Sequence, residues 1–405
     1  METDNGKKKT NAPHLRFPGF TGEWEERRLG EVCERVMRKN NNLSHRPLTI
    51  SAQYGLIDQM SFFNKTVASP DLSNYILIKE GEFAYNKSSS SEHPWGSVKC
   101  LTIYSEGALS PLYICFAPKH TVIQNWLVQY YESSKWYKEI SEIATEGARN
   151  HGLLNVSVPD FFQTKLHIPS KAEQRKIAGF LRLLDERIAA QRVLIGEMGR
   201  LMGGIISFEK MQGTKKGSWA KVFLRDVLQE SKELNDKNNP IYSVSVNTGI
   251  VNQIEHLGRS FSSSNTSNYH IVNYGDVVYT KSPTAGFPYG IVKQSHIHMK
   301  VAVSPLYGVY QPINYNTGYL LHCYFSNCVN AYNYLHPLIQ KGAKNTINIS
   351  NQHFLDNTIP LPIKQVDVDR LVRPLEILDK KIELEKRILQ DYLLQKQYLL
   401  RQMFI

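Results

Sequence analysis

Two stretches of this chain read almost alike: Gly81-Glu82-Phe83-Ala84-Tyr85-Asn86-Lys87-Ser88 and Gly275-Asp276-Val277-Val278-Tyr279-Thr280-Lys281-Ser282. The correspondence continues in order on both sides. Trp24-x4-Leu29-x-Glu31-Val32 returns as Trp219-x4-Leu224-x-Asp226-Val227, and Ser73-Asn74-Tyr75 as Ser267-Asn268-Tyr269. Pro94-Trp95-Gly96-x-Val98-Lys99 returns as Pro288-Tyr289-Gly290-x-Val292-Lys293, and Ser110-Pro111-Leu112-Tyr113 as Ser304-Pro305-Leu306-Tyr307. Gly147-Ala148-Arg149 and Asn155-Val156-Ser157 return as Gly342-Ala343-Lys344 and Asn348-Ile349-Ser350. One offset of about 194 residues serves all of them to within a residue or two, so the chain is a tandem duplication.

Each copy has two parts. The first, residues 24–170 and 219–362, carries short strand-like runs such as Leu48-Thr49-Ile50 and Val277-Val278-Tyr279, punctuated by Pro, Gly, Ser and Asn. A helical patch at Ile123 to Ile143 makes it an α+β module. The second part changes period. Ile177, Leu181, Leu184, Ile188, Gln191, Ile195, Met198, Met202 and Ile205 are spaced alternately by four and three, the seam of a coiled coil. The repeat offset carries that seam to Leu371, Leu375, Leu378, Ile382, Glu385, Leu389, Tyr392, Lys396 and Leu399.

The expected organisation is a tail (1–23), a module (24–170), a long helix (171–212), a linker (213–218), a second module (219–362) and a second long helix (363–405). The two helices are expected to pair antiparallel about a pseudo-twofold axis. Gln191 and Glu385 are the middle residues of their seams and would then form the polar centre of the coiled coil, which fixes register at a cost in stability. Pro374 predicts a start or bend of the second helix there. Gly196, Gly199, Gly203 and Gly204 mark either close backbone approach or a frayed end.

Composition bounds the function. The 405 residues are 41% hydrophobic and 21% charged, with no run of ~18 apolar residues to span a membrane. The Lys-rich start of the chain is unlike a secretory signal. Five cysteines, without a CxxC pair, favour neither disulfides nor a zinc ribbon, and a reducing cytoplasm is expected. Net charge is +11, yet residues 173–210 carry only +2 and residues 365–405 only +1, so most of the basic excess lies outside the two most helix-like stretches. Nucleic acid is the partner class this distribution points to, with ordinary surface charge as the alternative.

Catalytic motifs are missing. Ser110-Pro111-Leu112-Tyr113 and its twin come near the loop of amino-methyltransferases that holds an extruded base. Leu replaces the second Pro in both, and no glycine-rich cofactor turn accompanies them, so a shared turn at a strand edge is the expectation. Pro70-Asp71 and Pro159-Asp160 lack the following acidic-x-Lys of a metal-dependent nuclease. His296-x-His298 has no second ligand pair and is read as a pair of strand histidines. There is no Walker loop.

His14-Leu15-Arg16-Phe17-Pro18-Gly19-Phe20-x2-Glu23-Trp24, followed by Leu29-Gly30-Glu31-Val32, resembles the opening of type I restriction–modification specificity subunits. The duplicated halves add to the resemblance. So do Glu173-Gln174-x2-Ile177 running to Leu184-Asp185-x2-Ile188, its echo Leu378-Asp379-x2-Ile382, and the ending Tyr398 to Phe404. The resemblance implies a non-catalytic subunit whose two target-recognition domains each read one half of a split double-stranded DNA site, with the helices setting the gap. Seam residues 177 to 205 span about 42 Å at 1.5 Å per residue, comparable to one duplex turn of roughly 34–36 Å. It also implies two methyltransferase subunits docked around the helices, whose exposed faces carry Arg182, Glu186, Arg192, Lys380, Glu383 and Arg387, and two restriction/translocase subunits beyond them. S-adenosylmethionine, ATP and Mg2+ would belong to those partners, with no cofactor, metal or catalytic residue on this chain.

Candidate DNA contacts are the repeat-matched loop residues Lys87 with Ser88, Lys281 with Ser282, Arg149 with Asn150, and Lys344 with Asn345. Arg, Lys and Asn can fork onto base edges, whereas phosphate contacts need only charge. Being matched between copies favours a positioning role, because base readers should differ between halves. The serine runs Ser88 to Ser91 and Ser262 to Ser264 are candidate tips that close on DNA. The competing reading from another class is a duplicated base methyltransferase with degenerate motifs, and a two-domain regulator or carbohydrate-binding protein is a third.

Overall fold

The computed structural model describes residues 11–405 except 53, 66, 145–151, 247, 255–264, 285 and 342–346. It divides into two compact units, residues 1–191 with 388–405, and residues 192–387.

In the first unit the module opens with β1 (Glu25–Arg28) and β2 (Cys33–Arg35). A hairpin of β3 (Leu48–Ser51) and β4 (Gly55–Asp58) follows, then β5 (Ile76–Lys79), β6 (Phe83–Asn86), β7 (Ser97–Cys100), β8 (Glu106–Leu109) and β9 (Ile114–Pro118). The module closes with β10 (Lys165–Ile168). A four-stranded antiparallel sheet in the order β2-β9-β6-β7 forms its centre, flanked by the pairs β3-β4 and β5-β8. β1 pairs with β10 from Glu25↔Ile168 to Arg28↔Lys165, so the module's entry and exit lie side by side.

The second unit repeats this plan. β11 (Trp219–Phe223) pairs with β22 (Thr358–Pro362), joining entry to exit again. The central sheet runs β12 (Leu228–Glu230), β19 (Gly308–Pro312), β16 (Val277–Thr280) and β17 (Ile291–Gln294), again antiparallel. β13 (Tyr242–Ser245) pairs with β14 (Gly249–Asn252), and β15 (His270–Val272) with β18 (Val301–Val303). β20 (Gln340–Lys341) and β21 (Ile347–Asn348) form a further pair.

The repeated motifs explain themselves as structure. Tyr85 and Tyr279 are fully buried in matched sheets, stack on Phe161 and Phe354, and donate their hydroxyls to the carbonyls of Trp95 and Tyr289. Gly96 and Gly290 have φ of +81° and +102°, and a Cβ at either would strike the backbone carbonyl of Asn86 or Thr280. Ser157 and Ser350 cap short helices by accepting from the N–H of Asp160 and His353. Ser110-Pro111-Leu112-Tyr113 and its twin are turns, closed by Tyr113 N–H to Ser110 O and Tyr307 N–H to Ser304 O, with Leu112 and Leu306 pointing into solvent.

Two long helices complete the architecture, Lys171–Lys216 and Gln365–Gln402. Every seam position of both is buried or half-buried, whereas most positions between them are exposed. In the first unit the helices run antiparallel. Asp185 meets Lys396 at 2.5 Å, while Arg187, two residues on, donates to the Tyr392 hydroxyl at 3.1 Å, four residues back. Lys396, a break in the apolar seam, is thus satisfied by a carboxylate. Leu181 shares a core with Leu399, Leu400 and Phe404, and in the second unit Ile206 shares one with Leu371 and Leu375. A matched aspartate ties helix to module in each copy. Asp185 accepts from Gln129 at 2.8 Å and Asp379 from the Tyr319 hydroxyl at 3.2 Å.

Three expectations need correction. Residues 213–216 are the last turn of the first helix, not linker, because Gly213 packs against Trp219, and the break comes at Gly217 with φ +69°. The second helix does not start at Pro374 but nine residues before it, with the proline inside the helix, so of the start or bend expected there only the start is overturned. Gly196, Gly199, Gly203 and Gly204 face open space, so they neither serve close packing nor mark a frayed end, since the helix continues past them. No helix is long and apolar enough to cross a membrane among the described residues.

Candidate nucleic-acid interface

In both modules the central strand delivers the same pair of groups. β6 ends at Asn86, and Lys87 and Ser88 follow it. Ser88 N–H donates to the Asn86 side-chain oxygen at 3.0 Å, and the Lys87 carbonyl accepts from Leu154 N–H at 2.9 Å. An isolated bridge links Ser88 to Leu153. This clips the end of the strand to the segment just after Arg149 and Asn150, which lie outside the described residues. Lys87 is half-buried and Ser88 exposed.

The second module repeats the device. β16 ends at Thr280, whose hydroxyl accepts from Ser282 N–H at 3.2 Å. Lys281 is half-buried and Ser282 exposed. Burial pulls the Lys281 ammonium below the usual lysine range, and the Glu230 carboxylate partly restores it. Lys344 and Asn345, with Ser262 to Ser264, lie outside the described residues. A lysine ammonium or a serine hydroxyl can each donate to a phosphate oxygen. Lys87 and Ser88, like Lys281 and Ser282, are chain neighbours just past the ends of matched strands. Ser90, next to them, accepts from His93 N–H through its hydroxyl and so belongs to a turn.

The histidines His296 and His298 are not in a strand, contrary to expectation. They follow β17, in the connection to β18, because the strand's hydrogen bonds end at Gln294. There they join an aromatic column. His298 stacks on Tyr274 at 4.5 Å, Tyr274 on Tyr315 at 5.3 Å, and Tyr315 on Tyr319 at 6.3 Å. The column lines an open groove of about 430 Å³ whose far side is the C-terminal helix at Glu376 and Asp379. Burial lowers the pKa of His296, opposed by Asp379 and Glu376. Reading the sequence alone missed this groove, since its rings are scattered over three segments and the first-copy counterparts of Tyr274, Tyr315 and Tyr319, namely Glu80, Thr121 and Asn125, are not aromatic. Among the described residues no group of three or more His, Cys, Asp or Glu could hold a metal ion.

The first module has a second unforeseen feature. Tyr54, Met60, Phe62 and Phe63 are exposed around the tip of the β3-β4 hairpin and the short helix after it, and Phe62 packs edge-on against both Tyr54 and Phe63. Alternating apolar residues over Met60 to Phe63 carry no signal that separates such a surface cluster from a core.

No family model matches the chain, and no curated protein does. Solved structures do. The type I restriction–modification S subunit from M. genitalium matches over 97% of this chain and 99% of its own, at 13% identity and a TM-score of 0.55. A chain from work on complex assembly and conformational transition of the type I R-M system matches over 95% and 98%, at 15% identity and 0.47. The HsdS subunit from Thermoanaerobacter tengcongensis matches over 97% and 98%, at 17% identity and 0.38. The first of these leaves almost nothing of either chain unmatched. From end to end, two modules and two long helices, this chain has the fold of a type I restriction–modification S subunit.

Proposed function

We propose that the chain is the non-catalytic specificity subunit of a type I restriction–modification complex. Each module binds one half of an asymmetric, interrupted double-stranded DNA site, and the helices set the spacing between the halves. The observation that carries this reading is the doubled Lys–Ser strand end, Lys87-Ser88 and Lys281-Ser282, at matched places in the two modules. Arg149, Asn150, Lys344 and Asn345 belong to the same proposed contact set by their matched places in the sequence. Gln191 and Glu385 are the proposed polar centre of the helical spacer.

Two methyltransferase subunits are proposed to dock on the helices and two restriction/translocase subunits to join that core. Those partners would supply S-adenosylmethionine, ATP and Mg2+ chemistry in the cytoplasm. The test is methylation mapping by single-molecule sequencing in cells that carry this chain with a methyltransferase partner. A two-part methylated motif with an unread gap is expected. An uninterrupted motif, or methylation that is unchanged without this chain, would overturn the reading.

A further inference from the structure

The duplication supplies an internal control. In the first copy the entry of the Lys171–Lys216 helix is covered by the chain's own N-terminal segment. Arg16 spans Glu173 with two hydrogen bonds of 2.7 Å, one to each carboxylate oxygen, and the Glu173 side chain is only 1% exposed. Phe17 sits edge-on to Phe180 at 5.6 Å, and the Lys176 ammonium lies 5.5 Å from the centre of the Phe17 ring. Leu15 N–H donates to the carbonyl of Gln402, which anchors the segment.

The repeat offset carries Glu173, Lys176 and Phe180 to Asp367, Arg370 and Pro374, at the entry of the Gln365–Gln402 helix. With the offset of 195 that relates Trp24 to Trp219, Arg16 and Phe17 correspond to Met211 and Gln212, which are residues of the other long helix and cannot play the same part. The equivalent surface is therefore an open groove of about 350 Å³, lined by Asp367, Arg370, Leu371 and Pro374 with Ile205 and Trp219. The Asp367 side chain is 31% exposed and lies 3.7 Å from Arg370, which is itself largely in solvent. A pair of that kind contributes little and leaves the carboxylate open to a better partner.

We propose that this groove is a docking site for a partner protein presenting an extended segment in which an arginine precedes an aromatic residue. Asp367 would take the guanidinium as Glu173 takes Arg16, in the bidentate geometry that suits that pair. Arg370 would lie over the aromatic ring as Lys176 does, and the Pro374 ring offers an apolar face where Phe180 stands. A second copy of this chain is excluded as the occupant through this segment, because its own Arg16 and Phe17 are engaged on its first module. The proposal does not depend on the DNA reading.

The test uses the full-length chain and a fluorescently labelled peptide with the sequence of residues 11–20, followed by anisotropy. Saturable binding is expected. Asp367→Arg should weaken it at least about tenfold, and so should Arg16→Glu in the peptide. Asp367→Asn, nearly isosteric, should weaken it by about fivefold and covers the case in which the charge reversal misfolds. Absence of saturable binding up to millimolar peptide, or binding that the Asp367 variants leave unchanged, would overturn the proposal.

Discussion

Glu82 and Asp276 stand at one place in the two copies under different fields. Glu82 accepts from the Arg38 guanidinium at 3.0 Å and from Lys79 N–H at 2.8 Å. At the place of Arg38 the second copy has Glu233, so Asp276 keeps the N–H of Asn273 at 2.8 Å but gains a like charge. Burial pushes its carboxyl up to about 6 from 3.8, against the bonds from Asn273. A folded pKa above the unfolded one means the fold favours the protonated form. That contribution is fully present below about pH 4 and is lost as pH rises through about 6. Asp276→Asn should therefore raise stability by about 2–3 kcal/mol at pH 8 and by roughly half of that at pH 5. Thermal melts at the two pH values check this, and equal gains at both would contradict it. At the same scale, Lys87→Ala and Lys281→Ala should each weaken DNA binding uniformly across sequences and lower the salt slope by about one. Binding isotherms over a salt series on cognate and unrelated duplexes check this, and a loss confined to the cognate duplex would make these lysines base readers instead.

The long helices show what periodicity can and cannot announce. Their seams were legible because a four–three alternation survives every substitution but Gln191, Glu385 and Lys396, and the structure answers the last of these with Asp185. Helix ends were less legible. Pro374 suggested a start, yet burial of Val368, Leu371, Val372 and Leu375 holds the helix together on both sides of it. Its nitrogen has no hydrogen for the Arg370 carbonyl, a local defect maintained by packing. Pro374→Ala should stabilise the chain by about 1–3 kcal/mol. Chemical denaturation followed by circular dichroism measures this, and a destabilised variant would show that the proline shapes the groove beside it. The strands were legible as short apolar runs, but their pairing was not, since β6 finds β9 and β1 finds β10 through contacts far apart in sequence. The groove of Tyr274, His298 and Tyr315 was hidden for the same reason.

For the whole molecule, the duplication was the most legible feature, because matched motifs report on matched environments: buried tyrosines, capping serines and obligatory glycines. The candidate DNA contacts were less so, since a lysine after a strand looks the same whether it faces phosphate or water. If the proposed function holds, footprinting of the assembled complex should give two protected blocks separated by an unread gap, and exchanging residues 24–170 for a foreign module should alter one block only. A single continuous block would contradict it. The pairing of Glu25–Arg28 with Lys165–Ile168, and of Trp219–Phe223 with Thr358–Pro362, has a consequence for descent. Each module leaves the frame through the doorway by which it came in. A gene segment could thus be traded between lineages as a sealed cartridge, with both cut points falling on the same hydrogen-bonded seam, and, if the modules read DNA as proposed, recombination alone would then change what is read.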